Sequence, residues 1–234
     1  MSDTTEELRS LLCKQWRETL KLYSLELHPT ASSILDKGAA MIVSGGGTAL
    51  TMRAVAKEAD IKLASLQYHF KTFDEFVSTL FCREFGRIAR HTWETLERLE
   101  AQLLRPADVL RRAAESCMPE ENCPPDGEHG IYFHLMAFCS YNKDANIKAK
   151  SFYRFYNTLF AYLISKVNPS LTAAQCTARA ILITSTLEGA GIYTILKAGG
   201  ALGDKTCHQE IGDLVVHYAT LPGSTRGRSP AETN

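Results

Sequence analysis

Apolar residues return every three or four positions along almost the whole chain, the period of a helix buried on one side, and no stretch alternates as a half-buried strand does. Leu8, Leu12, Trp16, Leu20, Tyr23 and Leu27 predict an N-terminal helix. Pro29 interrupts it, because its ring cannot continue a helix and biases His28 away from the α region. A second helix over 31–43 carries Ile34, Leu35, Gly38, Ala39 and Ile42, and stops at Gly45-Gly46-Gly47, which reads as a turn. Two short helices follow at 51–59 and 63–70. Thr72 with Glu75 forms a capping box for one long helix, whose apolar face runs through Val77, Phe81, Phe85, Ile88, Thr92, Leu96, Leu99 and Leu103. Pro106 opens the next helix, to about 118; the Pro- and Gly-rich stretch 119–130 reads as a loop. Helices are expected at about 128–141 and 144–167, and after Asn168-Pro169 a second capping box, Thr172 with Gln175, starts one that Gly199-Gly200 ends. Thr206 is the expected cap of a last helix bearing Ile211, Leu214, Val215 and Tyr218; the tail from Pro222 reads as disordered. The expected fold class is all-α.

Two short helices joined by a tight turn behind a packing helix are the arrangement of a helix-turn-helix, which lays its second helix in the major groove of DNA. Met52, Val55, Ala56 and Ala59 give the first helix an apolar face, Ala56 is small enough for close approach, and Ile61 plugs the turn. The second helix keeps Leu66 and Phe70 for the core and leaves Ser65, Gln67, Tyr68 and His69 to donate to phosphates or base edges. Overall charge adds nothing to this: 26 Lys+Arg balance 26 Asp+Glu. Residues 28–75 hold five basic side chains (37, 53, 57, 62, 71) and five acidic ones (36, 58, 60, 74, 75), without the basic excess common in such domains.

The stretch from about Ile34 to Leu80, with Leu-Thr-Met-Arg-Ala-Val-Ala, Leu-Gln-Tyr-His-Phe and an acidic capped helix start, resembles the DNA-binding domain of the tetracycline-repressor (TetR) family. The likeness covers about a fifth of the chain in motif and spacing. It implies a three-helix DNA-binding domain at 28–75, a larger helical ligand-binding and dimerisation domain at 76–221, an extra N-terminal helix at 1–27 and a tail at 222–234. It also implies a dimer on a palindromic double-stranded operator, released by a small-molecule inducer. Carried over position by position, it places Thr51 and Arg53 near backbone and base, and Lys62, Leu63, Ala64, Ser65, Gln67, Tyr68 and His69 on or beside the recognition helix. Gln67 stands where many members have tyrosine, and Phe73 where a phosphate-binding lysine is usual; Lys71 is the candidate substitute. His134-Leu135-Met136-Ala137-Phe138 and Leu187-Glu188-Gly189 loosely resemble the family's betaine-responsive branch.

Residues 171–198 contain only Arg179, Glu188 and Lys197 as charges, so that helix is apolar nearly all round and needs more cover than one small domain supplies. A two-fold four-helix interface with the last helix is expected, with Gly189 and Gly191 allowing close approach. Glu188 has two readings, a ligand-reading carboxylate or a pair across the dimer. The aromatic run Phe152, Tyr153, Phe155, Tyr156, Phe160 and Tyr162 is expected to be core for at least half its members. Trp93, Phe133, Met136, Phe152, Tyr156 and Leu187 are the candidate inducer lining, and so much aromatic surface suits a mostly apolar molecule with one or two polar groups.

No GxSxG, GxGxxG, HExxH or P-loop occurs, so an enzyme is not expected. The spacings of Cys117, Cys123, His129, His134 and Cys139 match no zinc template, and neither metal nor cofactor is called for. The acidic start lacks a basic region and cleavage site of a signal peptide, the run 180–196 falls short of a membrane span, and seven cysteines make an odd count without CxxC pairing; these predict a cytoplasmic protein with reduced thiols and no membrane partner. Residues 1–27, with four basic and five acidic side chains, suit packing on the protein better than a DNA arm. The competing reading is a helical adaptor or small-molecule binding protein that does not touch DNA.

Overall fold

The computed structural model describes residues 2–46, 49–118, 128–195 and 204–223. Gly47, the stretch 119–127, the expected stop at Gly199-Gly200 and the tail beyond 223 lie outside the described residues, within which every regular element is a helix. In chain order these are α1 (Asp3–Tyr23), α2 (Pro29–Gly45), α3 (Met52–Glu58), α4 (Leu63–His69), α5 (Phe73–Ala101), α6 (Pro106–Glu115), α7 (Glu128–Cys139), α8 (Lys143–Val167), α9 (Ala173–Ile195) and α10 (Asp204–Thr220).

Local chemistry sets most of the ends. Ser2, Thr51, Thr72 and Asn142 each accept a main-chain N–H of the first turn they cap. At α9 the box is reciprocal: Gln175 N–H donates to Thr172 Oγ1 at 3.3 Å and Thr172 N–H to Gln175 Oε1 at 3.0 Å. At α5 it is offset by one residue, since Glu75 Oε2 takes the amide of Lys71 at 2.9 Å. Two expected ends move. The apolar stripe reaching Leu27 outlasts its helix, which stops at Tyr23, with Leu25 and Leu27 packing from the linker. Thr206 lies inside α10, which starts at Asp204, so it does not cap it.

The head is built on α2, α3, α4 and the start of α5. Val55, Ala56, Leu66, Phe70 and Phe76 are all buried there, and Phe70 meets Phe76 edge to face at 5.3 Å. Gly38 is required by this packing: a Cβ on it would stand 2.4 Å from the Phe76 ring. The body packs α5 to α10 around Phe81, Phe85, Phe152, Phe155 and Phe160, all fully buried. Five of the six aromatics on α8 are core; only Tyr153 is half-exposed.

Helix α1 lies along α5 and α8, on the body. Trp16 stacks on Trp93 with centroids 5.0 Å apart and meets Phe155 at 5.4 Å. Arg9 pairs with Glu100 at 2.9 Å and covers the Tyr162 ring at 5.1 Å, while Tyr23 OH donates to the Lys148 carbonyl at 2.7 Å. At the other edge, Arg179 of α9 donates to the carbonyls of Tyr218, Ala219, Leu221 and Pro222, capping the carbonyl end of α10 with a cation.

Candidate functional site

The turn between α3 and α4 is tight because Asp60 takes a left-handed conformation (φ 51°), which lets Ile61 N–H reach the Ala56 carbonyl at 3.0 Å. Leu66 then plugs the core, and the period of the helix throws the residues between apolar anchors outward. Thr51, Arg53, Lys62, Ala64, Ser65, Gln67 and Lys71 are exposed, and Tyr68 is 83% exposed, a large aromatic standing free on a seven-residue helix. Leu63 and His69 are half-buried, and Leu63 packs on the core. Thr51 Oγ1 accepts from Ala54 N–H at 3.1 Å, so its hydroxyl proton remains to donate.

The pattern did not single out His28. It caps α2, accepting from Thr30 N–H at 3.2 Å, and its ring stacks on His69 at 5.7 Å, with Tyr68 edge-on to His69 at 5.2 Å. One polar aromatic row therefore joins the start of α2 to the end of α4. The only signal for it was its place just before Pro29.

A second cluster sits in the body. Glu188 of α9 turns inward: Tyr132 OH of α7 donates to its Oε1 at 2.6 Å and Tyr153 OH of α8 to the same oxygen at 3.2 Å, while the two phenols also contact each other. Burial pushes the Glu188 carboxyl above its ordinary range and the two phenol bonds partly offset this; burial and the Glu188 charge push both phenols up. Glu188 thus takes its hydrogen bonds from α7 and α8 of the same chain. Phe85 stacks on Tyr132 at 5.2 Å, and Phe152 on Tyr156 at 5.7 Å.

Among the expected lining residues, Phe152, Tyr156 and Leu187 are buried near this cluster, and Phe133 and Met136 are half-buried on α7. Trp93 is turned elsewhere, against Trp16 of α1. Gly191 is buried, and a Cβ on it would lie 3.8 Å from the Phe133 ring of α7. Gly189 faces open space. Tyr132 and Tyr153 were missed because no sequence spacing links three side chains on three helices.

The outer face of α9 carries a patch of large apolar side chains, with one leucine of α10 beside it. Ile181, Leu182, Ile192 and Tyr193 on α9 and Leu214 on α10 are exposed, and a shallow groove runs between Leu182, Thr186, Leu214 and Tyr218. Among the described residues no group of His, Cys, Asp and Glu could hold a metal ion, and no helix is long and apolar enough to cross a membrane.

No family model and no curated protein matches the chain. Solved structures do match its fold. A transcriptional regulator from Saccharomonospora viridis in complex with choline aligns over 80% of this chain and 95% of its own at 17% identity and a TM-score of 0.63. A TetR-like transcriptional regulator from Rhodococcus sp. RHA1 aligns over 84% and 96% at 19% identity and 0.59. The multidrug binding protein EbrR, complexed with ethidium, aligns over 80% and 98% at 18% identity and 0.53. The chain thus has the fold of TetR-like regulators along nearly their whole length.

Proposed function

We propose that this chain is a TetR-type transcriptional regulator, a repressor that reads a palindromic operator as a homodimer and releases it on binding a small, mostly apolar inducer. The observation that carries the reading is the helix-turn-helix geometry with a large aromatic held out on its second helix: Tyr68 is 83% exposed beside exposed Gln67, while Leu66 of the same helix is fully buried. Residues 28–75 form the reading head, with Arg53, Gln67 and Tyr68 toward base edges or phosphate, and Thr51, Lys62, Leu63, Ala64, Ser65, His69 and Lys71 along the backbone. Residues 76–221 form the sensing and dimerising body, and 1–27 brace it.

The exposed apolar side chains of α9, with Leu214 of α10 beside them, support the dimer. They offer a patch for an isologous two-fold contact, and two heads held that way would meet successive major grooves, about 34 Å apart. Choline and ethidium in two structures of the same fold support a body that takes small organic ligands. Because α5 leads straight out of the recognition helix, a ligand wedged against it would rotate the heads; about 1–3 kcal/mol of coupling is enough to change occupancy. No catalytic step is involved.

A mobility-shift titration against the DNA upstream of the chain's own gene, at two salt concentrations, tests the reading. The expected result is a sequence-selective shift that weakens as salt rises. An adaptor or small-molecule binder gives no selective shift, and that result would overturn the proposal.

A further inference from the structure

A head carried on the end of one helix is free to turn about that helix axis; a second attachment, offset from the axis, stops it. Here the head is joined to the body twice. Helix α5 is one joint, with Phe76 in the core of the head and Phe81 in that of the body. The other is the stretch 24–28, through which α1 runs into α2. It takes neither turn nor bend, its end residues Ser24 and His28 are extended, and Leu25 and Leu27 are half-buried against the core. The six Cα steps from Tyr23 to Pro29 reach at most roughly 22 Å, so α2 starts on a short tether.

The anchor of that tether is the last turn of α1. Helix α1 lies antiparallel along α8, from Thr5, whose Oγ1 donates to the Ser165 carbonyl at 3.4 Å, to Tyr23, whose OH donates to the Lys148 carbonyl at 2.7 Å. Tyr23 is buried and rides on α5 at Gly86, where a Cβ would stand 3.0 Å from Tyr23 Cβ and 3.4 Å from the Tyr23 carbonyl oxygen. Lys148 in turn reaches α5: its Nζ donates to Ser78 Oγ at 3.1 Å, while Ser78 Oγ donates to Asp144 Oδ2 at 2.8 Å. Three helices of the body meet where the tether leaves them. Where α2 also meets α7, beside Gly46 and His134, the contact is not covalent.

We propose, resting on the reading of the chain as a dimeric DNA-binding regulator, that α1 is a strap, pinned at Tyr23, which fixes the direction of the reading head, so that Tyr23 and the 24–28 tether position the heads for one operator spacing. A half-site displaced by one base pair moves about 3.4 Å along the duplex and turns about 35° around it. A head free to turn follows that change. A head held at two points does not, and the dimer then loses the grip of its second head, worth about 100-fold or more in affinity.

The test is insertion of six Gly/Ser residues between Glu26 and Leu27 of the full-length protein, which about doubles the reach of the tether while leaving α1 and the core of the head as they are. Two quantities are read. One is the distance distribution, by pulsed electron resonance without DNA, between nitroxides on non-natural residues at the exposed positions Lys57 of the head and Lys150 of the body. The other is the affinity for the operator found by mobility shift against one lengthened by a base pair between its half-sites. The insertion should broaden the distribution and cut the parent's preference for the native spacing by about tenfold or more. Tyr23→Phe, which loses only the bond to Lys148, should move both the same way to a smaller extent, and it decides if the insertion variant does not fold by circular dichroism. An unchanged distribution, or an unchanged spacing preference in a chain whose distribution broadens, would overturn the proposal. A broadened distribution with no operator binding by the parent sinks the regulator reading and leaves the strap standing; operator binding with an unchanged distribution does the opposite.

Discussion

Replacing Leu12 by alanine tests whether α1 belongs to the body's core or reaches for DNA. Leu12 is fully buried at the centre of the helix, about one turn from Leu8 and one from Trp16, which stacks on Trp93 of α5. The change removes three carbons, about 2.4 kcal/mol at about 0.8 kcal/mol for each buried methylene. The cavity left between α1 and α8 adds to that, because neighbouring helices relax only in part, giving a loss of about 3 kcal/mol or more. For a chain of this length each kcal/mol lowers the melting midpoint by roughly 2–4 °C, so the expected shift is about 6–12 °C. The assay is thermal denaturation at fixed protein concentration, alongside operator titration at a temperature where both proteins are folded. A packing helix leaves the affinity and its salt dependence unchanged. Each phosphate contact contributes about 0.9 to the slope of log K against log salt. A melting shift below about 2 °C, or a slope reduced by about one unit, would refute the assignment of α1 to the core.

Tyr68→Ala should weaken operator binding by about 1–3 kcal/mol, and Lys62→Ala should weaken all sequences alike and flatten the salt dependence; parent-like titrations for both would remove α4 from the interface. Leu214→Arg, placing a charge in the exposed groove of α10, should give a monomer by light scattering at micromolar concentration, with palindrome binding lost while the circular dichroism spectrum stays helical. Glu188 binds its proton more tightly when folded, because burial disfavours the charge, so the folded state holds more protons and stability falls as pH rises above the ordinary carboxyl value. Ligand-free Glu188→Gln should therefore gain stability relative to the parent as pH rises from about 4.5 toward neutrality; a constant difference in denaturant midpoint across that range would contradict the burial argument.

Much of this molecule was legible before folding because the forces involved are local. Helix starts follow from Thr51, Thr72 and Thr172 bonding main-chain groups within one turn, and the division of α4 into buried Leu66 and exposed Gln67 and Tyr68 follows from the helical period with one strong apolar anchor. The helix-turn-helix was readable for the same reason, since its residues lie in one continuous stretch, 51–70. Which way α9 faces was not readable. A helix apolar nearly all round carries no preferred side, so only its neighbours decide that Glu188 and Gly191 turn inward toward α7 while Ile181, Leu182 and Tyr193 stay outside. The same holds for Trp93, which any aromatic partner could cover and which Trp16, from the far N-terminus, does cover. Periodicity states that a side chain will be buried. Its partner is chosen by the crossing of helices distant in sequence, where shape and hydrogen-bonding of three chain segments must be met at once.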